Sequence, residues 1–319
     1  MSRDRFEEQH QAAWASLDVL LGQLERRLPA PGAGALPELY RHLCHQLALA
    51  RARRYGADLE KRLNRLALRA HQQLYHGSRT TSWRAVGRFL TTDFPRRVRD
   101  LGGLFWLSAA LFMVPLLGTF TAIQLEPEVA YSILSPDQTA SFEEMYAKEK
   151  QEERAASVDF AMFGHYIYNN ISIAFRTFAG GMLFGVGSIF ILLYNGLVIG
   201  AVAGHLGQAG LGETFYPFVI AHGSFELTAI VLAGAAGLKL GLALVSPGRL
   251  RRTQALSLAA KDSVPLIYGI TAMLLVAAFI EAFWSSTVTL PPVVRYGVGG
   301  LLWVMMVAYL SLSGRRRGA

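Results

Sequence analysis

Cysteine is nearly absent. The chain of 319 residues holds one, Cys44, which excludes an intrachain disulfide. Cys44 lies between His42 and His45, but structural zinc needs about four ligands and these are not paired; a buried thiol on a helix is predicted. Charge is scarce as well, at 17% of residues against roughly 25% in soluble domains. No zinc-spaced cysteines, RNA-binding signature or helix-turn-helix with a clear recognition helix occurs, so nucleic acid is not an expected partner. A phosphate loop, a dinucleotide fingerprint and a Ser–His–Asp set are also missing. The opening "MSRDRFEEQH" has no apolar core, so insertion by internal segments is predicted rather than a cleavable leader.

What is present is unevenly spread. Residues 1–100 carry 18 Lys+Arg, 17 of them arginine, against 10 Asp+Glu. Residues 101–319 carry 13 of each, so the formal charge of +8 comes from the first third. A basic segment beside an apolar one fits a cytoplasmic domain near anionic lipid.

Within residues 1–100 the apolar positions recur at helical spacing. Phe6, Trp14, Leu17, Leu20, Leu21 and Leu24 form one stripe, and "PAPGAGALP" ends it. Leu39, Leu43 and Leu47, then Leu59, Leu63 and Leu66, form two more. None of these helices is apolar all round, so a small helical bundle is predicted. In "SWRAVGRFLTTDFPRRVRD", near 82–100, Trp83, Val86, Phe89 and Leu90 mix with arginines. That mixture predicts an interfacial helix resting on anionic lipid through Arg84, Arg88, Arg96, Arg97 and Arg99.

The hydrophobic segments begin at Gly102. Residues 102–124 lack charge over 23 positions, enough to cross about 30 Å of hydrocarbon. Residues 125–165 hold nine acidic and three basic side chains and predict an extracytoplasmic helical loop. The stretch 166–206 is open: two helices broken around "FGVG", or an interfacial helix and one crossing. The basic segments at 96–99, 249–252 and 315–317 share the cytoplasmic side only if it crosses twice. Six spans follow, near 102–124, 166–185, 187–206, 224–245, 263–284 and 293–312, with both termini cytoplasmic. The expected class is an all-α, polytopic membrane protein with a basic helical domain at 1–100 and a transmembrane domain at 101–319.

The series "YNNISIAFRTFAGGMLFGVGSIFILLYNGLVIGAV", "AHGSFELTAIVLAGAAGLKLG" and "FIEAFWSS" before "LPP" resembles the stage II sporulation protein M family. The upstream helices resemble the leader of its longer members. The resemblance implies a polytopic protein of the bacterial or archaeal inner membrane. Its founding member is associated with peptidoglycan-remodelling proteins, so other envelope proteins are candidate partners. The family brings no agreed activity.

One polar constellation stands out. His222 and Glu226 are four residues apart, one helical turn, at the predicted outer start of span four, where a helix break near Gly223 is one option. Glu281 ends span five and Arg295 begins span six at that level. Asn170 and Asn195 add hydrogen-bonding capacity, and Arg176 lies inside its segment. Charges at mid-membrane cost roughly 2.5–3.5 kcal/mol each on insertion scales, so the cluster should compensate itself. Three uses stay open: mutual pairing that holds helices together, a polar path or ligand site, and a metal-dependent hydrolase in which His205 is the extra ligand candidate. The leading expectation is a non-enzymatic transporter-like, channel-like or scaffold protein, with no catalytic residue, metal or cofactor assigned; the alternative is an intramembrane hydrolase using His222 and Glu226. Gly196, Gly200 and Gly204 have small-xxx-small spacing, which fits packing within one chain or a homodimer.

Overall fold

The computed structural model describes residues 2–26, 28–75, 83–147, 156–287 and 290–315. Two compact units divide after Ala85. Residues 86–100, which the sequence joins to the basic leader, therefore pack with the second unit. Among the described residues the secondary structure is helical, with no strand.

The first unit is a bundle of α1 (Arg3–Glu25), α2 (Leu36–Ala52) and α3 (Ala57–Tyr75). Its core contains the predicted stripes: Phe6, Trp14, Leu17, Leu43 and Leu63 are buried, while Leu24 and Leu39 are partly covered. Trp14 donates its Nε1–H to Gln46 Oε1 at 2.7 Å, so the largest core side chain also satisfies its polar atom. On the rim, Arg69 binds both Glu25 oxygens, at 2.7 and 3.0 Å, and also pairs with Asp18. Cys44 is a half-buried free thiol on α2.

Before the second unit's long helices come α4 (Trp83–Arg88), a π-helical turn at Phe89–Asp93 and α5 (Phe94–Asp100). Then follow α6 (Gly103–Leu125), α7 (Pro136–Tyr146), α8 (Ala156–Ala179), α9 (Val186–Gln208), α10 (Gly212–Val245), α11 (Arg252–Phe279) and α12 (Pro292–Leu312). α7 starts with a capping box in which Ser135 and Gln138 satisfy each other's backbone N–H groups. Much of the acidic run "EEMYAKEKQEER" (148–154), and residues 316–317 of the basic tail, lie outside the described residues.

Among the described residues five helices are long and apolar enough to cross a membrane: α6, α9, α10, α11 with its extension to Ser285, and α12. The remaining long helix, α8, has 24 residues, about 36 Å of rise, but carries His165, Asn169, Asn170 and Arg176. The stretch 166–206 is thus two helices. They reverse through a 3-10 turn at Gly180–Met182 and Gly185, whose φ is +87°. The break comes at 180–185, just before the "FGVG" glycines end.

α10 is the central helix and touches α6, α8, α9, α11 and α12. Its run Ala233–Gly234–Ala235–Ala236–Gly237 is wholly buried, because small side chains let several helices approach one backbone. A Cβ on Gly181 would collide with the backbone of Gly237. Interhelical hydrogen bonds add to the contact: Ser108 Oγ donates to Val231 O at 2.7 Å, and Ser188 Oγ to Thr177 O at 2.6 Å.

The glycines of α9 are used inside the chain. A Cβ on Gly196 would strike Phe112 O, one on Gly200 Leu116 O, and one on Gly204 the Ile123 side chain at 3.0 Å. This stripe seats α6, so it offers no separate surface to a second copy.

Two boundaries differ from the sequence expectation. α8 begins ten residues before 166, and α10 begins at Gly212 rather than 224. Pro217 lies in the second turn of α10, where it forgoes the bond to the carbonyl four residues back. The helix is continuous through Gly223, so the break considered there does not occur. His222 accordingly sits about 15 Å along α10 at 1.5 Å per residue, not at its mouth.

Candidate functional site

Helical phase puts His222 and Glu226 on one face of α10. Opposite them, the last turn of the α11 segment widens into a π-helix at Ile280–Ser285. The extra residue per turn re-aims side chains, and such turns often occur at functional sites. Here Glu281 points at the α10 pair. One ligand atom from each of His222, Glu226 and Glu281 lies within 4.8 Å of the other two.

The surroundings are tightly closed. His222 is 4% exposed, and its Nδ1 lies 3.2 Å from Ser285 Oγ, which fixes the ring. The Phe218 ring packs edge-on against the imidazole, with centroids 5.3 Å apart. From α8, Asn170 is 2% exposed and turns its amide towards Glu281. Its Oδ1 accepts from Asn169 Nδ2 at 3.1 Å, while its own Nδ2 is buried without a hydrogen-bond partner. Glu281 Oε2 is likewise buried and unpartnered. Among the described residues, no lysine or arginine pairs with Glu226 or Glu281.

Four of the seven cluster residues read from the sequence therefore meet: His222, Glu226, Glu281 and Asn170. The other three lie elsewhere. Asn195, on α9, donates to the Ile191 carbonyl one turn back at 2.8 Å. Arg176 stands exposed in the last turn of α8. Arg295 is 7% exposed, but its guanidinium donates to Thr287 O, so it holds the turn before α12. His205 pairs with Glu143 of α7 at 2.8 Å, which removes it as a ligand for this site. Ser285 was missed by the sequence reading, although its position four residues after Glu281 in "IEAFWSS" was a usable signal.

The basic segment divides in the same way. Arg99 Nη1 donates to Leu310 O at 2.7 Å, and Arg96 Nε to Gly314 O at 2.5 Å. The first satisfies a carbonyl in the last turn of α12 that intrahelical bonds leave free, and the second a carbonyl two residues beyond the helix. Arg97 is exposed and reaches Asp262 O at 3.4 Å. Arg88 is exposed and 3.8 Å from Asp93, and Arg84 is exposed on α4. Lys239, near the end of α10, lies 3.6 Å from Asp262.

Long apolar helices around a polar trio, with His222 buried and the two glutamates half-buried, define a multi-pass α-helical membrane protein. The family model for stage II sporulation protein M matches residues 104–286, more than half of the chain and including every member of the trio. The chain belongs to that family. A domain of unknown function matches residues 4–76, the three-helix bundle. The chain is also similar to "Uncharacterized protein MJ0793" of Methanocaldococcus jannaschii, with 27% identity over 79 residues. That match covers 24% of this chain and 44% of the relative, so the chain spans under half of that relative's length. No solved structure matches it.

Proposed function

We propose that this chain is a transporter- or channel-like protein of the cytoplasmic membrane, and that His222, Glu226 and Glu281 form the site at which it binds a cation. One observation carries the reading: two carboxylates converge within a helical bundle, and among the described residues no lysine or arginine pairs with them. Buried carboxylates need compensating charge or hydrogen bonds, and a bound cation supplies the charge. Intramembrane acidic groups facing a bundle interior commonly mark ion pathways. The exposed arginines 84, 88 and 97 would meet anionic lipid on the cytoplasmic side, where both termini would lie.

Ion flux into proteoliposomes tests the reading. Wild-type protein should conduct a cation above the level of empty liposomes, and Glu226→Gln should abolish that flux while the protein stays folded. Flux absent from the wild type for every cation tried rejects the conduit and leaves a scaffold. A metal-dependent intramembrane hydrolase is the second reading, favoured by the unpartnered Asn170 amide, a donor suited to an oxygen held beside the trio.

A further inference from the structure

We infer that the trio is a binding site for one divalent metal ion of the zinc class, held by His222, Glu226 and Glu281. This deepens the cation-site reading and rests on it. The donor set selects the ion. Imidazole with two carboxylates suits zinc and its transition-metal neighbours, whereas calcium takes six to eight oxygens and magnesium keeps most of its water. One doubly charged ion also neutralises two glutamates beside a neutral imidazole, so the complete site carries no net charge in the bilayer.

Geometry agrees. Donor atoms on a tetrahedral ion at about 2.1 Å stand roughly 3.4 Å apart. The three groups, within 4.8 Å of one another, need to close by roughly 1.4 Å or less. Ser285 engages His222 Nδ1 at 3.2 Å, which leaves Nε2 as the ring nitrogen for the metal. A partner on the distal nitrogen is the usual device for orienting a histidine ligand. Three protein ligands leave one position open.

Asn170 supplies an independent sign. It belongs to another helix, is 2% exposed, and turns towards Glu281 an amide whose Nδ2 reaches no acceptor at full hydrogen-bond geometry. A buried amide donor without a well-placed acceptor is costly. A water or anionic oxygen on the open metal position would be its acceptor.

The test uses the full chain purified in detergent, stripped with a chelator, and titrated with Zn²⁺ alone and Co²⁺ alone. One Zn²⁺ should bind per chain, and Co²⁺ should give the visible absorption of a four- or five-coordinate ion. Glu226→Gln and Glu281→Gln, checked for folding by helical circular dichroism and gel filtration, should each weaken Zn²⁺ binding by about a hundredfold or more. Glu143→Gln, at the separate His205 pair, should leave it unchanged. Wild-type protein that binds neither ion overturns the proposal, as does equal affinity in folded Glu281→Gln. Parallel flux measurements separate it from the parent reading. Flux by metal-free protein that binds no Zn²⁺ preserves the conduit and removes the metal site; one bound Zn²⁺ without flux does the reverse.

Discussion

Ser285 Oγ lies 3.2 Å from His222 Nδ1, and Ser285 follows Glu281 by four residues in a π-helical turn. One short segment thus supplies both a carboxylate to the trio and the partner that aims its imidazole. Ser285→Ala should keep metal stoichiometry at one but weaken Zn²⁺ affinity about 10–100-fold, the usual cost of losing an outer partner. Losing the hydrogen bond should also lower stability by about 1 kcal/mol. Calorimetric titration and thermal unfolding in the same detergent check both.

The α6–α9 contact makes a paired glycine prediction. At Gly200 a Cβ would press into Leu116 O, whereas at Gly118 nothing lies within 4 Å. Gly200→Ala should therefore destabilise by about 1–3 kcal/mol through overpacking. Gly118→Ala should be neutral or stabilising by up to about 1 kcal/mol, because alanine is the better helix former. Unfolding midpoints of the two variants should move in opposite directions, or only the first should move.

The arginines of the amphipathic segment should also separate into two kinds. Arg99→Ala frees the Leu310 carbonyl and should cost about 1.5–3 kcal/mol, the range for a charge-assisted hydrogen bond. Arg84→Ala with Arg88→Ala should leave the melting temperature in place. If these side chains meet anionic lipid, each is worth roughly 1 kcal/mol there, an attraction that salt weakens. Retention of anionic over neutral lipid during purification, measured by mass spectrometry, is the readout.

Much of this architecture was legible from periodicity and charge. The leader's stripes are its core because amphipathic spacing reports burial directly. Glu281 was found from cost and level: a glutamate ending one span needs company near the pair that begins another. Asn195 and Arg176 defeat that logic because level does not fix helical phase. Asn195 is satisfied by its own helix, and Arg176 by exposure at a helix end. Arg295 shares the level, but a backbone carbonyl of the preceding turn takes its guanidinium. The early start of α10 is hard to read from sequence because Gly212 and Pro217, residue types that commonly punctuate loops, fall in its first two turns.

Acid should loosen the leader before it affects the membrane helices. Hydrogen bonding from Arg69 holds the Glu25 carboxyl below its ordinary value of 4.5, and the two carboxylates around Arg69 raise the guanidinium above its own. A depressed carboxyl pKa contributes stability that is full above the unfolded value and is lost as pH falls through the folded one. The loss should thus set in near pH 4.5 and deepen below it. These groups are largely exposed, so the contribution stays under about 1 kcal/mol. Hydrogen exchange across α1 and α3 in the full chain should accelerate over that window, and Arg69→Ala should remove the pH step.

The membrane role of α8 makes the last prediction. Among the described residues composition marks five crossings and leaves α8 out, yet α8 is held by its neighbours: Asn170 is buried beside Glu281, while Ile171 and Phe178 pack into the apolar core around α10. A helix that buries a mid-segment polar side chain against its neighbours, and keeps an arginine at its end where it can snorkel, can cross where an isolated one could not. Counting α8 gives an even number of crossings, so both ends of the membrane unit fall on one side. On that count the basic turn between α10 and α11 should lie there too, the side expected from the bias of positive charge towards the cytoplasm. In a Cys44→Ser background, a cysteine at Gln138 of α7 should react with an impermeant thiol reagent added outside the cell. Cysteines at Leu250 and Arg315 should react only after the membrane is opened. Labelling of position 250 from outside would place α10 and α11 the other way round, and labelling that puts positions 250 and 315 on opposite sides would break the pairing of α11 with α12.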